Sequence, residues 1–410
     1  MRNQFRLPVM GLASVLLLQL STAFAYQADN VNHIVTLTPN ADITKTTSDM
    51  RGALGFLVNR PDKTTPWMLK LNPGQYVLSS QVSTNGLQNT VITSADLTQP
   101  AQLIKMPGWD SATSAEYLLY NTMCKNVQLI GLEFYGQTSF ANSPESYWPD
   151  QGVYFGSCSV VKIDQNKFFN FGNSALRVST WERDPVAGVD SFKTMVSNNT
   201  FNNIYQTSTT VQDNIHGGTA MSTWVNNTFL NLRGSVKFAS RTPGAGNIQF
   251  FNNLIDGGDH FGLEINNYSN FELRGNTIKN IKSVAMNIYT GALPGFPWGD
   301  NFTITNNNIS DVGRGIRFSH EPGTDGYQYV PQNLVIDNNT LTNVTETASY
   351  VPAIWVANGL VNGVQVTNNK MSAIANKKYI TVTPGSTNVS MLGNLVDGVA
   401  YGLQSTTAAK

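Results

Sequence analysis

The stretch WVNNTF, residues 224–229, sets two asparagines inside an otherwise apolar run that alternates like a β-strand. Asparagine is depleted from strands, so a single break of this kind would read as a turn. Here the break recurs. MVSNNTF, IQFFNNLI, FELRGNTI, FTITNNNI, LVIDNNTL, VQVTNNKM and VSMLGNLV repeat the same order of apolar alternation, Asn or Gly, Asn, and a further apolar residue two places on. With the second asparagine as register mark, the series is Asn166, Asn199, Asn227, Asn253, Asn276, Asn307, Asn339, Asn369 and Asn394, at intervals of 23–33 residues. Three short strands and three turns fill such an interval, and the excess goes into turns. LIGLEF, residues 129–134, is a degenerate earlier coil with Leu132 on the mark. The expected fold is all-β: a single-stranded right-handed parallel β-helix, or solenoid.

In a solenoid each turn lies about 4.8 Å above the one before. A buried asparagine can then bond to neighbouring backbone and to the asparagine of the next coil, while asparagine also tolerates the left-handed backbone of a sharp bend. An asparagine ladder is therefore expected, and it accounts for the several N-x-S/T sequons without glycans. Cys124 and Cys158 each lie eight residues before a mark, Leu132 and Asn166, so they stack on successive coils. That spacing suits a disulfide in an oxidising compartment.

Charged residues make up 13% of the 410, and Lys plus Arg equals Asp plus Glu at 26 each, so the basic excess of a nucleic-acid binder is missing. Residues 1–25 place Arg2 and Arg6 before an apolar stretch and end in Ala23-Phe24-Ala25, the pattern of a signal peptidase site. They are read as a removed export signal, with the mature protein secreted or periplasmic, free of the membrane and monomeric. Residues 26–69 are assigned to an N-terminal cap with a helix at about 48–60, opening at Ser48. Residues 70–400 form the coils, with a first turn at Pro73-Gly74, and 401–410 a polar tail.

After each mark a second strand can be aligned through its apolar residues: LRVST, VKFAS, LEINN, MNIYT, IRFSH, IWVAN, ITVTP. Alternation leaves outward columns between the inward positions. One column reads Arg177, Thr210, Lys237, Glu264, Asn287, Arg317, Trp355, Thr381; the next reads Ser179, Gln212, Ala239, Asn266, Tyr289, Ser319, Ala357. Charged and amide groups recur most densely there. The loops TWERDPVAGVDSF, GALPGFPWGD and HEPGTDGYQYVPQ follow this strand and offer Trp181, Phe296, Trp298, Tyr327 and Tyr329 as faces for sugar rings.

Coil pattern, asparagine ladder and export signal together resemble the pectate-lyase-like superfamily over nearly all of residues 70–400. Within it, SVKFAS around Lys237 and RGIRFSH around Arg317 are similar to chondroitinase B and related alginate lyases. That resemblance implies a lysine and an arginine acting with calcium on an acidic polysaccharide, although the run of acidic metal ligands ahead of the lysine is not found. The NTD and GHG signatures of polygalacturonase-type hydrolases and the DPHD stretch of mannuronan epimerases are absent.

The chemistry implied is β-elimination on a uronate chain, which needs a cation where charge builds on the carboxylate, a base, and a proton source for the leaving oxygen. Arg317, assisted by Arg177, Asn266 or Asn287, suits the first. Lys237 is a candidate base that Glu264 would hold protonated, and Tyr289, His320 and His260 are rival proton carriers. Structural alternatives stand beside these roles: a cross-coil ion pair for Lys237 and Glu264, and turn positions for His216 and His260. Asp256, Asp259 and His260 are too loosely spaced for a metal site. A non-catalytic glycan-binding surface protein is the second hypothesis. A glycosidase is disfavoured by the single carboxylate, Glu264, in the column.

Overall fold

A computed structural model describes residues 26–109, 116–137, 150–179, 193–204, 207–212, 221–239, 246–291, 299–321 and 329–401, the side chains of 207–212 excepted. The expected export signal and all but the first residue of the tail lie outside these residues. The chain winds as a right-handed parallel β-helix. One 14-stranded sheet takes the strand before each mark, from Trp67–Leu71 through Met221–Val225 to Thr387–Ser390, and the remaining strands join a second sheet of 22. In two coils strand pairing continues through the second bend, as Thr277–Gly291 and Asn308–Glu321, with Asn280 and Asp311 in the left-handed conformation at φ 58° and 55°.

The two asparagines of each motif divide the work of the bend. The first takes the left-handed conformation: Gln165, Asn198, Asn226, Asn252, Gly275, Asn306, Asn338, Asn368 and Gly393 all have φ of 52–71°. That is why only Asn, Gly or, once, Gln occupies the place. The second points inward and is at most 2% exposed. Its Oδ1 accepts the backbone N–H of the mark one coil earlier at 2.8–3.0 Å, in an unbroken series from Leu132 N to Asn394. Its Nδ2 donates to a carbonyl of the preceding coil, as Asn253 does to Trp224 O at 3.0 Å. A buried amide with both ends satisfied carries no desolvation penalty left unmet.

Two residues past the mark, Phe134, Phe168, Phe201 and Phe229 stack at 4.8–4.9 Å between ring centroids, so the core repeats the register of the backbone. Cys124 and Cys158 are joined in a disulfide with Cα atoms 4.4 Å apart.

At the N-terminal end an antiparallel hairpin, Tyr26–Asp29 with Ile34–Leu37, leads into the helix Ile43–Asn59. The helix begins five residues before Ser48 because Asp42 is its N-cap, its carboxylate accepting the Thr44 N–H at 3.0 Å. Thr46 and Thr47, poor helix formers that hide this start in the sequence, are buried there and bond through their hydroxyls to Asn40 O and Ser79. Met50, Ala53, Leu54 and Leu57 close the open end of the first coil.

Candidate functional site

Strand pairing aligns the outward column residue by residue. Arg177 pairs with Thr210, Thr210 with Lys237, Lys237 with Glu264, Glu264 with Asn287, Asn287 with Arg317, Arg317 with Trp355 and Trp355 with Thr381. The flanking Val236, Phe238, Leu263, Ile265, Met286, Ile288, Ile316 and Phe318 are buried, which forces the residues between them outward.

Along this strip the groups differ in how fully they are occupied. Lys237 Nζ lies 3.0 Å from Glu264 Oε1. The same carboxylate accepts from Asn266 Nδ2 at 2.9 Å and from Ser235 Oγ at 3.0 Å, so it is held by three donors. Arg177 sits with its guanidinium 6.0 Å from the Tyr154 ring and 3.5 Å from the Tyr117 hydroxyl. Arg317 also faces a ring. Its guanidinium rests 5.5 Å from the Trp355 ring centroid, and its buried Nε has no hydrogen-bond partner. Beside it Asn287 is 9% exposed, and its buried Oδ1 is also unpartnered.

The second column places Asn266, Tyr289 and Ser319 side by side. The Tyr289 hydroxyl donates to Glu321 Oε2 at 2.9 Å. Burial, reinforced by the adjacent Glu321 carboxylate, pushes the phenol above its ordinary range. His320 faces the other way. It is 1% exposed, with Nδ1 2.9 Å from Thr290 Oγ1 and Nε2 2.8 Å from the Tyr329 carbonyl. Burial lowers its pKa, so the ring is neutral, donating through Nε2 and accepting at Nδ1. Contrary to its expected place among the proton carriers, His320 is sealed beneath the strip. Tyr329 is likewise a brace: its hydroxyl donates to Asp300, whose other oxygen accepts the Gln332 N–H at 2.7 Å.

His260 is an exposed turn residue against the Phe261 ring, four residues before Glu264. Asp256 and Asp259 are paired to Lys279 and Lys282 of the next coil at 3.1 and 2.6 Å. Among the described residues no three His, Cys, Asp or Glu side chains come together to hold a metal. The strip's own carboxylate, Glu264, already has three donors, a poor fit to calcium, which takes six to eight oxygen ligands. Trp181, His216, Phe296, Trp298 and Tyr327 lie outside the described residues.

Two features were missed in the sequence. Tyr120 and Tyr154 extend the column toward the N-terminus, pairing with each other and then with Arg177. Their rings stack at 4.7 Å and 7°, with Tyr117 5.0 Å from Tyr154. Each tyrosine stands four residues before a cysteine of the disulfide, a spacing that could have revealed them. Glu321 is the next outward position after Ser319, visible by carrying the alternation two residues further.

No family model matches the chain, and no curated protein matches it in sequence. Solved structures share its fold. A surface protein and adhesin of Streptococcus pneumoniae aligns over 85% of this chain and 93% of its own, with TM-score 0.59 and 11% identity. The A-module of a mannuronan C-5 epimerase of Azotobacter vinelandii aligns over 84% and 94%, with TM-score 0.52 and 13% identity. An endo-xylogalacturonan hydrolase of Aspergillus tubingensis aligns over 91% and 96%, with TM-score 0.51 and 13% identity. The fold shared with these structures is the parallel β-helix, a scaffold that hosts many activities. Among the described residues no helix is long and apolar enough to cross a membrane.

Proposed function

We propose that the protein holds an acidic, uronate-bearing polysaccharide along this strip and cleaves it by β-elimination. The observation that carries the reading is the pair of unpartnered atoms at Asn287 and Arg317, set against the face of Trp355. A buried polar atom without a partner costs about 1–3 kcal/mol, a cost that folds accept chiefly at functional sites. A guanidinium over an indole face is suited to a carboxylate on one sugar and to ring stacking by the sugar itself.

Arg317 takes the uronate carboxylate and stabilises the negative charge that develops when the adjacent carbon loses its proton. Tyr289, one column over, remains a phenol at neutral pH and gives its proton to the leaving glycosidic oxygen. Glu321, hydrogen-bonded to that phenol, takes the proton from the carbon beside the uronate carboxylate, so one proton leaves the substrate as the phenol gives another to the leaving oxygen. Lys237, tied to Glu264, positions the chain rather than acting as base. Hydrolysis fits poorly. Glu264 and Glu321 stand two strands and four residues apart, about 16 Å between backbones, beyond the spacing of carboxylate pairs that hydrolyse glycosides.

A second reading, a glycan-binding protein without turnover, is supported by the closed state of Lys237, Glu264 and His320, whose polar atoms are already engaged within the fold. The same experiment separates the two. Purified protein is incubated with alginate, chondroitin, polygalacturonate and hyaluronate, and the ultraviolet absorbance of an unsaturated uronate is followed alongside co-sedimentation with each polymer. Absorbance growth supports the lyase. Binding without absorbance replaces it with the second reading, and neither signal on any polymer rejects both.

A further inference from the structure

Far from the strip, at the N-terminal tip, the hairpin, the capping helix and the first coil border an open cavity of about 430 Å³. That volume is in the range of small-molecule sites. Its walls are rings set at angles to one another: Tyr26 and Phe56 at 6.2 Å and 48°, Phe56 and Trp67 at 5.4 Å and 63°, and His33 against Trp67 at 5.2 Å. Asn30 and Asn59 add exposed amides at the rim.

The helix carries two glycines facing this region, and glycine weakens a helix interior. Gly52 has a packing reason, since a Cβ there would stand 3.1 Å from the Tyr26 ring. Gly55 has none: a Cβ on it would meet nothing within 4 Å. Gly55 lines the cavity, so the missing side chain keeps the space open.

The charged side chains at the cavity have hydrogen-bonding atoms engaged within the fold. Arg60 donates to the carbonyls of Leu57 at 2.7 Å and Asp62 at 2.9 Å, and to that of Gln88. Asp62 accepts the Thr64 N–H at 2.8 Å and hydroxyls from Thr64 and Thr65. Arg60 and Asp62 carry opposite charges and give the cavity no net sign, and flat faces beside amides and an imidazole match a ring bearing hydroxyls.

We infer that this cavity is a second carbohydrate site, which takes one neutral sugar unit, independent of the acidic-chain strip. The test is calorimetric titration of the full chain with neutral hexoses, N-acetylhexosamines and their short oligomers. Wild-type protein is expected to bind at least one of them. Gly55→Phe, which fills the cavity from a position with open space before it, weakens that binding at least tenfold with an unchanged melting temperature. Asn59→Ala, at an exposed position, weakens it as well and serves if the larger side chain disturbs the helix. Arg317→Ala leaves it unchanged, so failure of the strip assignment does not touch this one. Absence of binding by every neutral sugar, or wild-type affinity in both Gly55→Phe and Asn59→Ala, would overturn the inference.

Discussion

Two columns of polar residues run along this solenoid at the same spacing, yet they are built on opposite rules. The asparagine ladder repeats one residue nine times, from Asn166 to Asn394, and every Oδ1 meets a backbone N–H within 3.0 Å. The column from Arg177 to Thr381 never repeats a residue on adjacent coils, and it leaves Arg317 Nε and Asn287 Oδ1 without partners. A polar column that exists to hold the chain together converges on the one side chain that closes its own hydrogen bonds. One that faces a ligand can vary from coil to coil, because its partners lie outside the chain. The comparison makes opposite forecasts for mutation: loss of stability in the ladder, loss of function in the strip.

The sharpest way to break it is in the ladder. Asn253→Ala removes the acceptor of Asn227 N–H and Nδ2 and the donor to Trp224 O, all buried. With two or three groups orphaned at 1–3 kcal/mol each, a loss of about 4 kcal/mol is expected. Urea denaturation checks it, and a loss below 1 kcal/mol would mean the ladder is decoration.

In the strip, Tyr289→Phe keeps the ring and removes the proton, so turnover on a cleaved polymer should fall by about a hundredfold with the melting temperature held. Because burial and Glu321 both raise this phenol, the alkaline limb of the pH–rate profile should lie above the ordinary tyrosine value of about 10. Glu321→Gln takes away both the second cause and the proposed proton acceptor, so it should lower turnover and move the limb of the residual rate down; an unmoved limb would assign the proton to another group.

Arg317→Met is the counterpart of the ladder mutation. It preserves much of the aliphatic stem and deletes the guanidinium over Trp355 with its buried unpartnered Nε, so stability should hold or rise while affinity for the acidic polymer falls about ten- to hundredfold, the worth of a charge-assisted bidentate contact. A clear fall in stability with unchanged affinity would turn Arg317 into a structural residue.

The ladder and the outward column were both legible in the sequence for the same reason: a residue's face in a stacked coil follows from alternation alone, and the marks fixed the register. The parts that were not legible depend on where alternation stops. The strand through Arg317 runs to Glu321 rather than ending at His320, which puts His320 inside and Glu321 outside. The helix start was hidden because Thr46 and Thr47 bond to groups outside the helix, and propensity does not register such contacts. Tyr120 and Tyr154 lay upstream of the first asparagine mark, where only the cysteines carry the register. The unpartnered atoms at Asn287 and Arg317 are invisible in any sequence, since pairing is a property of distances.

The smallest expected effect tests whether the Lys237–Glu264 pair belongs with the ladder or with the strip. Lys237 keeps 31% of its side chain in solvent and Glu264 15%, and water at such a pair screens most of the Coulomb gain. A double-mutant cycle of Lys237→Met and Glu264→Gln should therefore return a coupling in stability of about 0.5 kcal/mol. Glu264→Gln alone keeps one oxygen to accept from Asn266, and its Nε2 can donate to the Ser235 hydroxyl, so the single change should be mild. If the same cycle is read in affinity for the acidic polymer, Lys237→Met should weaken binding by losing a cation beside the chain, whereas Glu264→Gln should strengthen it by releasing Lys237 from its partner. Opposite signs in affinity with near-zero coupling in stability would place the pair on the functional side of the comparison. A coupling of 2 kcal/mol or more in stability, with no change in affinity, would make it a polar strut like the ladder and leave Arg317 as the strip's principal cation.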